Sequence, residues 1–134
     1  MPRPRILRLY PALFCSLADS IASLLSDRFT KDPVSDIRAI YEFLETADPQ
    51  IRNLLLTNDG NTFRDRFFHS IFTSEKSAFH PYCTDTKDGR FTEAYLNCIP
   101  GIYENYRKSH PDDTDIDGLA EKAAEMVMKG IGSK

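Results

Sequence analysis

The aromatic centre of this chain lies at residues 61–72, which read NTFRDRFFHSIF. Asn61 is a preferred helix N-cap, so a helix is predicted to begin immediately after it. The apolar side chains that follow recur at helical spacing: Phe63, Phe67, Phe68, Ile71 and Phe72. Four phenylalanine rings on one helix carry a large apolar area, and we expect them to form the centre of the core.

Three further helices are predicted before this segment. The first covers residues 11–28 and carries two neighbouring apolar stripes: Leu13, Leu17, Ile21 and Leu24, and Phe14, Ala18, Ile21 and Leu25. Asp32-Pro33 is an N-cap followed by proline, and it predicts a second helix that ends near Thr46. Asp48-Pro49 repeats the signal before a short third helix at residues 50–57, which Asn58-Asp59-Gly60 should end.

After the aromatic helix, residues 74–90 lose helical periodicity, and we expect a loop there. A fifth helix is predicted at residues 91–109, with a kink at Pro100, because proline lacks an N–H and its ring collides with a carbonyl of the preceding turn. A sixth helix is predicted at residues 116–129, preceded by acidic residues that favour a helix N-terminus. The sequence therefore predicts an all-α, single-domain bundle of about six helices.

Length and charge restrict the function. A chain of 134 residues with 41% hydrophobic residues is long enough for one compact domain. Its net charge of −3 argues against free-standing DNA binding, and no apolar run is long enough to span a membrane. Three widely spaced cysteines predict reduced thiols and a cytoplasmic protein. Residues 1–10 are interpreted as an arginine-bearing tail or linker, and a signal peptide is disfavoured.

Catalytic and metal motifs are weak. Asp113, Asp115, Asp117 and Gly118 resemble the start of an EF-hand loop, but the position of its last ligand holds Ala124, so helix capping is favoured. His80 and Cys83 are close in sequence, and a buried or merely exposed thiol is favoured over a nucleophilic dyad. The basic clusters are Arg64-Asp65-Arg66 and the N-terminal Arg3, Arg5 and Arg8, and for that tail a solvated end or linker is favoured over a phosphate contact. We expect no enzyme, metal or cofactor.

Aromatic residues on the middle helices give the strongest hint of a binding site. Rings and aliphatic side chains on facing helices of a bundle are where ligand pockets form. The predicted pocket for a small apolar or aromatic ligand is lined by Tyr41, Leu44, Phe67, Phe68, Ile71 and Ile99. The same residues could equally fill the core, and both interpretations remain open at this point.

Residues 32–131 resemble the C-terminal regulatory domain of TetR-type transcriptional repressors. The resemblance rests on LLLTNDGNTFRDRF at residues 54–67, on a penultimate helix at residues 95–106 with Gly101 inside it, and on a final helix at residues 112–131 after an acidic linker. The chain lacks the family's N-terminal helix-turn-helix. DNA would therefore be bound only through an absent N-terminal domain. Either the chain is a regulatory domain cut from a longer repressor, or it is a natural protein that has lost its DNA-binding domain.

The resemblance implies a ligand-sensing domain of a bacterial-type regulator that forms a homodimer. The fifth and sixth helices of two copies would pack as a four-helix bundle about a twofold axis. The residues expected at that interface are Leu96, Tyr103, Leu119, Ala123, Met126 and Val127. The alternative functional class is a helical adaptor that binds a protein partner through its Phe-rich helix. Exposure of the rings distinguishes these classes, because an adaptor needs them on its surface.

Overall fold

The computed structural model describes residues 11–56, 62–84, 89–112 and 115–132. Within these ranges every regular element is helical, which confirms the predicted all-α class. The segments are α1 (Pro11–Ser26), α2 (Pro33–Thr46), α3 (Pro49–Leu56), α4 (Thr62–Thr73), α5 (His80–Thr84), α6 (Gly89–Leu96), α7 (Cys98–Ser109) and α8 (Ile116–Gly132). The predicted N-cap Asn61, the turn at residues 58–60 and the tail at residues 1–10 lie outside the described ranges.

Aspartate caps fix the starts of two helices, α2 and α3, where the sequence predicts them. Asp32 accepts a hydrogen bond from the Ser35 N–H at 2.9 Å, and Pro33 occupies the first helical position of α2. At the start of α3, Asp48 accepts the Gln50 N–H at 2.8 Å. Each carboxylate satisfies an N–H group that the first helical turn leaves without a backbone partner.

The region predicted as a loop contains one short helix, α5, which begins at His80. His80-Pro81 does prevent an extension of α4, but proline is well tolerated in a first helical turn, so the same dipeptide starts a new helix. Residues 85–88 of the predicted loop lie outside the described ranges.

The penultimate helix is bent, as predicted, and the break lies at Asn97 between α6 and α7. Pro100 is thereby the third residue of α7, where its missing N–H breaks no helical hydrogen bond. A continuous helix would have pressed the proline ring against the carbonyl of Leu96. Ending α6 at Leu96 removes that collision and sets the direction of α7.

The bundle is held by two main helix pairs, α1 with α4 and α2 with α8, while α3 and α5 pack against opposite ends of α4. Ring contacts run through the core from Phe43 to Phe67, Phe68, Phe72 and Phe79, with centroids 5.1 to 6.0 Å apart. All of these rings except Phe43 are almost completely buried. The Phe-rich helix α4 is therefore the centre of one continuous core, as the sequence predicts.

Only one of the two apolar stripes predicted on α1 faces this core. Ala18 and Leu25 are buried, together with Ala22. Leu17 and Leu24, in the other stripe, keep exposed fractions of 45% and 71%. The small alanines allow α1 to approach α4 closely, and this approach turns the bulkier leucines outward.

Candidate functional site

The six residues predicted to line an apolar pocket are all buried in the common core: Tyr41, Leu44, Phe67, Phe68, Ile71 and Ile99. Phe67 and Phe68 make an edge-to-face contact, with centroids 5.1 Å apart. The Tyr41 hydroxyl donates to the Ile99 carbonyl at 2.8 Å, and burial raises the pKa of Tyr41 well above its usual range. The structure thus places these side chains in one cluster, and a ligand pocket among them stays a prediction.

The predicted dimer residues are mostly used within the chain itself. Leu96, Ala123 and Val127 are completely buried, Tyr103 is nearly so, and Leu119 packs against the same core. Met126 is the exception, with an exposed fraction of 59%. Among the six predicted interface residues, Met126 therefore exposes the largest side-chain surface that a second copy could contact.

A cleft of about 300 Å³ lies where α3 meets α7. Three positively charged side chains, one acidic side chain and apolar groups share its lining: Arg52, Lys108 and Arg107, with Glu104, and Leu56, Tyr103 and Pro111. Its volume is at the lower end of the range of roughly 300–1,000 Å³ that is usual for small-molecule sites. Cations beside apolar groups make this cleft the best candidate binding site among the described residues.

Glu45 of α2 organises one wall of this cleft. Its Oε2 accepts the Tyr103 hydroxyl at 2.6 Å and lies 3.3 Å from Nε of Arg107. Burial, reinforced by the neighbouring Glu45 carboxylate, raises the pKa of Tyr103 to about 12. Tyr103 therefore keeps its proton at neutral pH and remains the donor that, with Arg107, fixes the Glu45 carboxylate.

Arg107 retains an unsatisfied donor despite this pairing. Its Nη1 is buried and has no hydrogen-bond partner among the described residues. A buried N–H group without an acceptor is unfavourable, because it has lost its hydrogen bonds to water and gained none in return. Arg107 and Asp115 also line a much smaller adjoining cavity, but the Asp115 carboxylate is used to cap α8, accepting the Gly118 N–H at 3.0 Å.

Arg52 approaches the cleft from α3 and carries a charge that no described carboxylate neutralises by an ion pair. Its Nη1 donates to the carbonyls of Leu44 and Glu45, at 3.2 and 3.3 Å, in the last turns of α2. A cation at the C-terminal end of a helix is favourable because the carbonyls there carry partial negative charge. This arrangement holds the guanidinium in place without an ion pair to a carboxylate of the described residues.

Lys108 completes the group of cations and is the most accessible of the three. Its side chain has an exposed fraction of 73%, and its Nζ lies 3.7 Å from the carboxylate of Glu104, one helical turn away. A surface pair at this distance is weak, so Lys108 can be drawn to another anion. Sequence reasoning missed the site, because only the Arg107-Lys108 pair is adjacent and Arg52 is separated from it along the chain.

A second cleft, of about 410 Å³, separates α1 from the end of α4 and is lined mainly by polar side chains. Three of its four charged groups are paired, and the fourth, Glu75, has no ion pair among the described residues. Asp27 contacts Lys76, and Asp19 accepts two hydrogen bonds of 2.9 Å from Arg66, which hold the pKa of Asp19 below its usual range. We interpret this cleft as a packing gap between helices, across which ion pairs hold the neighbouring segments together.

The remaining sequence candidates have structural roles. Asp115 caps α8, which confirms the helix-cap interpretation of the acidic run, while Asp113 lies outside the described residues. Burial raises the pKa of Cys83 to about 11, so its thiol is a poor nucleophile, and Nδ1 of His80 is 2.8 Å from the Thr73 carbonyl. In the described part of the chain, no cluster of three or more His, Cys, Asp or Glu residues could hold a metal ion.

The basic cluster around residue 65 serves helix packing. Arg64 donates to the Leu55 carbonyl at 3.1 Å and lies over the Phe68 ring, whereas Arg66 pairs with Asp19 on α1. These two arginines thereby connect α4 with α3 and α1.

Comparison with known proteins gives no match to a protein-family model, a curated protein or a solved structure. The relation to TetR-type regulators therefore stays a prediction from the motifs. None of the described helices combines the length and apolarity required to cross a membrane.

Proposed function

We propose that this chain is a non-enzymatic, ligand-sensing helical domain, of the kind found in TetR-type regulators, and that its ligand binds between α3 and α7. The observation that carries the proposal is the cleft lined by Arg52, Tyr103, Arg107 and Lys108. It combines an apolar wall with convergent polar groups, which is the usual composition of a small-molecule site.

The location of the cleft also suits a sensor. One wall is α7, the second half of the bent helix, and Tyr41 ties the start of α7 to α2 through the Ile99 carbonyl. The other wall is α3, which packs directly on the Phe-rich α4. A ligand that prefers one separation of α3 and α7 would favour the matching arrangement of the bundle.

A thermal-shift panel of neutral, cationic and anionic small molecules tests ligand binding. A ligand at 100 times its Kd should stabilise the fold by about 2.7 kcal/mol. Lys108→Trp places a bulky ring at the cleft and should abolish the shift, whereas Lys122→Trp, at another exposed lysine on α8, should preserve it. If no class of ligand stabilises the protein, the sensing proposal fails.

Self-association belongs to the same proposal and rests on α8. Light scattering after gel filtration should give twice the chain mass of 15.3 kDa. Met126→Glu should give a monomer, because it places a charge in an apolar interface, and the exposure of Met126 means that the fold itself should tolerate the change. Leu24→Glu on α1 is the matched control and should remain dimeric. A monomeric parent chain would contradict the dimer and favour the adaptor alternative.

The adaptor alternative now requires a different surface from the one expected. The rings of the Phe-rich helix are buried, so they cannot form an outer binding face. Leu17 and Leu24, two helical turns apart on α1, are exposed and lie on the same side of that helix. Loss of dimerisation in Leu24→Glu, but not in Met126→Glu, would move the contact surface to α1.

A further inference from the structure

The cleft between α3 and α7 has a charge pattern that restricts its ligand. Its lining includes the cations Arg52, Arg107 and Lys108 and a single carboxylate, Glu104. Arg107 is also paired with Glu45. Among the described residues Arg52 donates to backbone carbonyls and has no ion pair, and the contact of Lys108 with Glu104 is long, at 3.7 Å. The lining therefore retains an excess of positive charge although the net charge of the chain is −3.

The donors of the cleft are suited to an oxyanion. A guanidinium presents several N–H groups in one plane, a geometry that matches a carboxylate or a phosphate, and hydrogen bonds to charged acceptors are the stronger ones. The buried Nη1 of Arg107 has no acceptor among the described residues, so this side chain keeps a donor that the described part of the fold does not use.

The apolar part of the cleft lining indicates what the ligand carries besides its anionic group. Leu56 and Pro111 lie in the same cleft as the cations, and Tyr103 also lines it although its side chain is almost completely buried. A fully hydrated inorganic ion would leave this surface unused. An aromatic or aliphatic body attached to the anionic group would cover it and gain from the loss of apolar surface to water.

We infer that the α3–α7 cleft binds a small organic anion, whose carboxylate or phosphate group lies among Arg52, Arg107 and Lys108 and whose apolar body rests on Leu56 and Pro111. This inference rests on the proposed sensing function and specifies its ligand class. It also predicts that binding weakens as salt rises, because the attraction between exposed charges is screened.

The test is an NMR titration of the whole chain with benzoate, phenyl phosphate and benzyl alcohol, following backbone amides and arginine side-chain signals. The two anions should shift signals at residues 52, 56 and 103–108 in a saturable manner, and neutral benzyl alcohol should not. Raising sodium chloride from about 50 mM to about 500 mM should weaken the anions only. Comparing the two anions distinguishes a carboxylate site from a phosphate site.

Matched variants assign the effect to the cations. Lys108→Gln should weaken anion binding about two- to fivefold, the effect of one exposed charge pair. Arg52→Gln should weaken it roughly tenfold or more, because a charged hydrogen bond is lost. Lys122→Gln removes the same charge from α8, outside the cleft, and should leave binding unchanged. Should Arg52→Gln unfold, the Lys108 and Lys122 pair still decides the question.

Two results would overturn the inference in different ways. Equal binding of benzyl alcohol and benzoate would remove the charge requirement and leave the sensing proposal standing. No shift with either anion would refute the ligand class, and the thermal-shift panel, which includes neutral and cationic compounds, would decide separately whether the domain senses any ligand.

Discussion

The buried carboxylate of Asp36 provides the sharpest test of how this fold is held together. Asp36 lies in the first turn of α2 and is completely buried. Its Oδ1 accepts the Thr30 N–H and its Oδ2 accepts the Ala78 N–H, each at 2.8 Å. One side chain thus joins the α1–α2 connection, in which Lys31 adopts a left-handed φ of 70°, to the α4–α5 connection.

Asp36→Asn keeps the shape of the side chain but turns one of its two acceptors into a donor. One partly buried backbone N–H would lose its partner, at a cost of about 1–3 kcal/mol. For a chain of this size, the melting temperature should fall by roughly 4–12 °C. Asp32→Asn is the matched control. Asn is nearly as good an N-cap as Asp, so its unfolding free energy should change by less than about 0.5 kcal/mol.

The pH dependence of the same variant has a definite sign. Burial raises the pKa of Asp36 above its ordinary value, although the N–H groups of Thr30 and Ala78 oppose the shift. The folded-state pKa of Asp36 lies above its unfolded value. Its contribution to the free energy of unfolding is therefore largest in acid and declines as pH rises through the folded-state pKa. The stability advantage of the parent chain over Asp36→Asn should therefore shrink from mildly acidic to neutral pH.

Urea unfolding followed by circular dichroism at several pH values measures both effects. If Asp36→Asn proves as stable as Asp32→Asn throughout, the two hydrogen bonds of Asp36 do not connect the loops as described. An advantage of the parent chain that grows with pH would show that the N–H groups outweigh burial in setting the pKa of Asp36.

Two further predictions each compare a pair of substitutions of the same residue type at different sites. Gly101→Ala, where an added Cβ meets no atom within 4 Å, should stabilise α7 by about 0.5–1 kcal/mol in thermal unfolding. Gly89→Ala should destabilise by roughly 1–3 kcal/mol, because its Cβ would overlap the backbone carbonyl of Cys83, and equal effects at the two sites would contradict this packing. Tyr41→Phe should lose about 1 kcal/mol with its buried hydrogen bond. Tyr95→Phe should be neutral, since its hydroxyl contact is at the surface and 3.5 Å long.

Local signals in the sequence were sufficient for most of the secondary structure. Asp32 and Asp48 mark helix starts through contacts with residues two or three positions away, so their effect does not depend on the rest of the fold. Pro100 predicts a bend for the same reason, although the break moved to Asn97 because the helix could restart with proline in its first turn. His80-Pro81 shows the limit of local reasoning, because one dipeptide can stop a helix or begin one.

The candidate binding surfaces depend on tertiary contacts that a linear pattern does not contain. Periodicity gave α1 two equivalent stripes, and only close packing on α4 decided that Ala18 faces inward and Leu24 outward. The cleft arose because the folding of α3 against α7 brought Arg52 to Arg107 and Lys108. Apolar spacing shows which residues avoid water, but whether they meet their own chain, a ligand or a second copy is decided by the packing of helices distant in sequence.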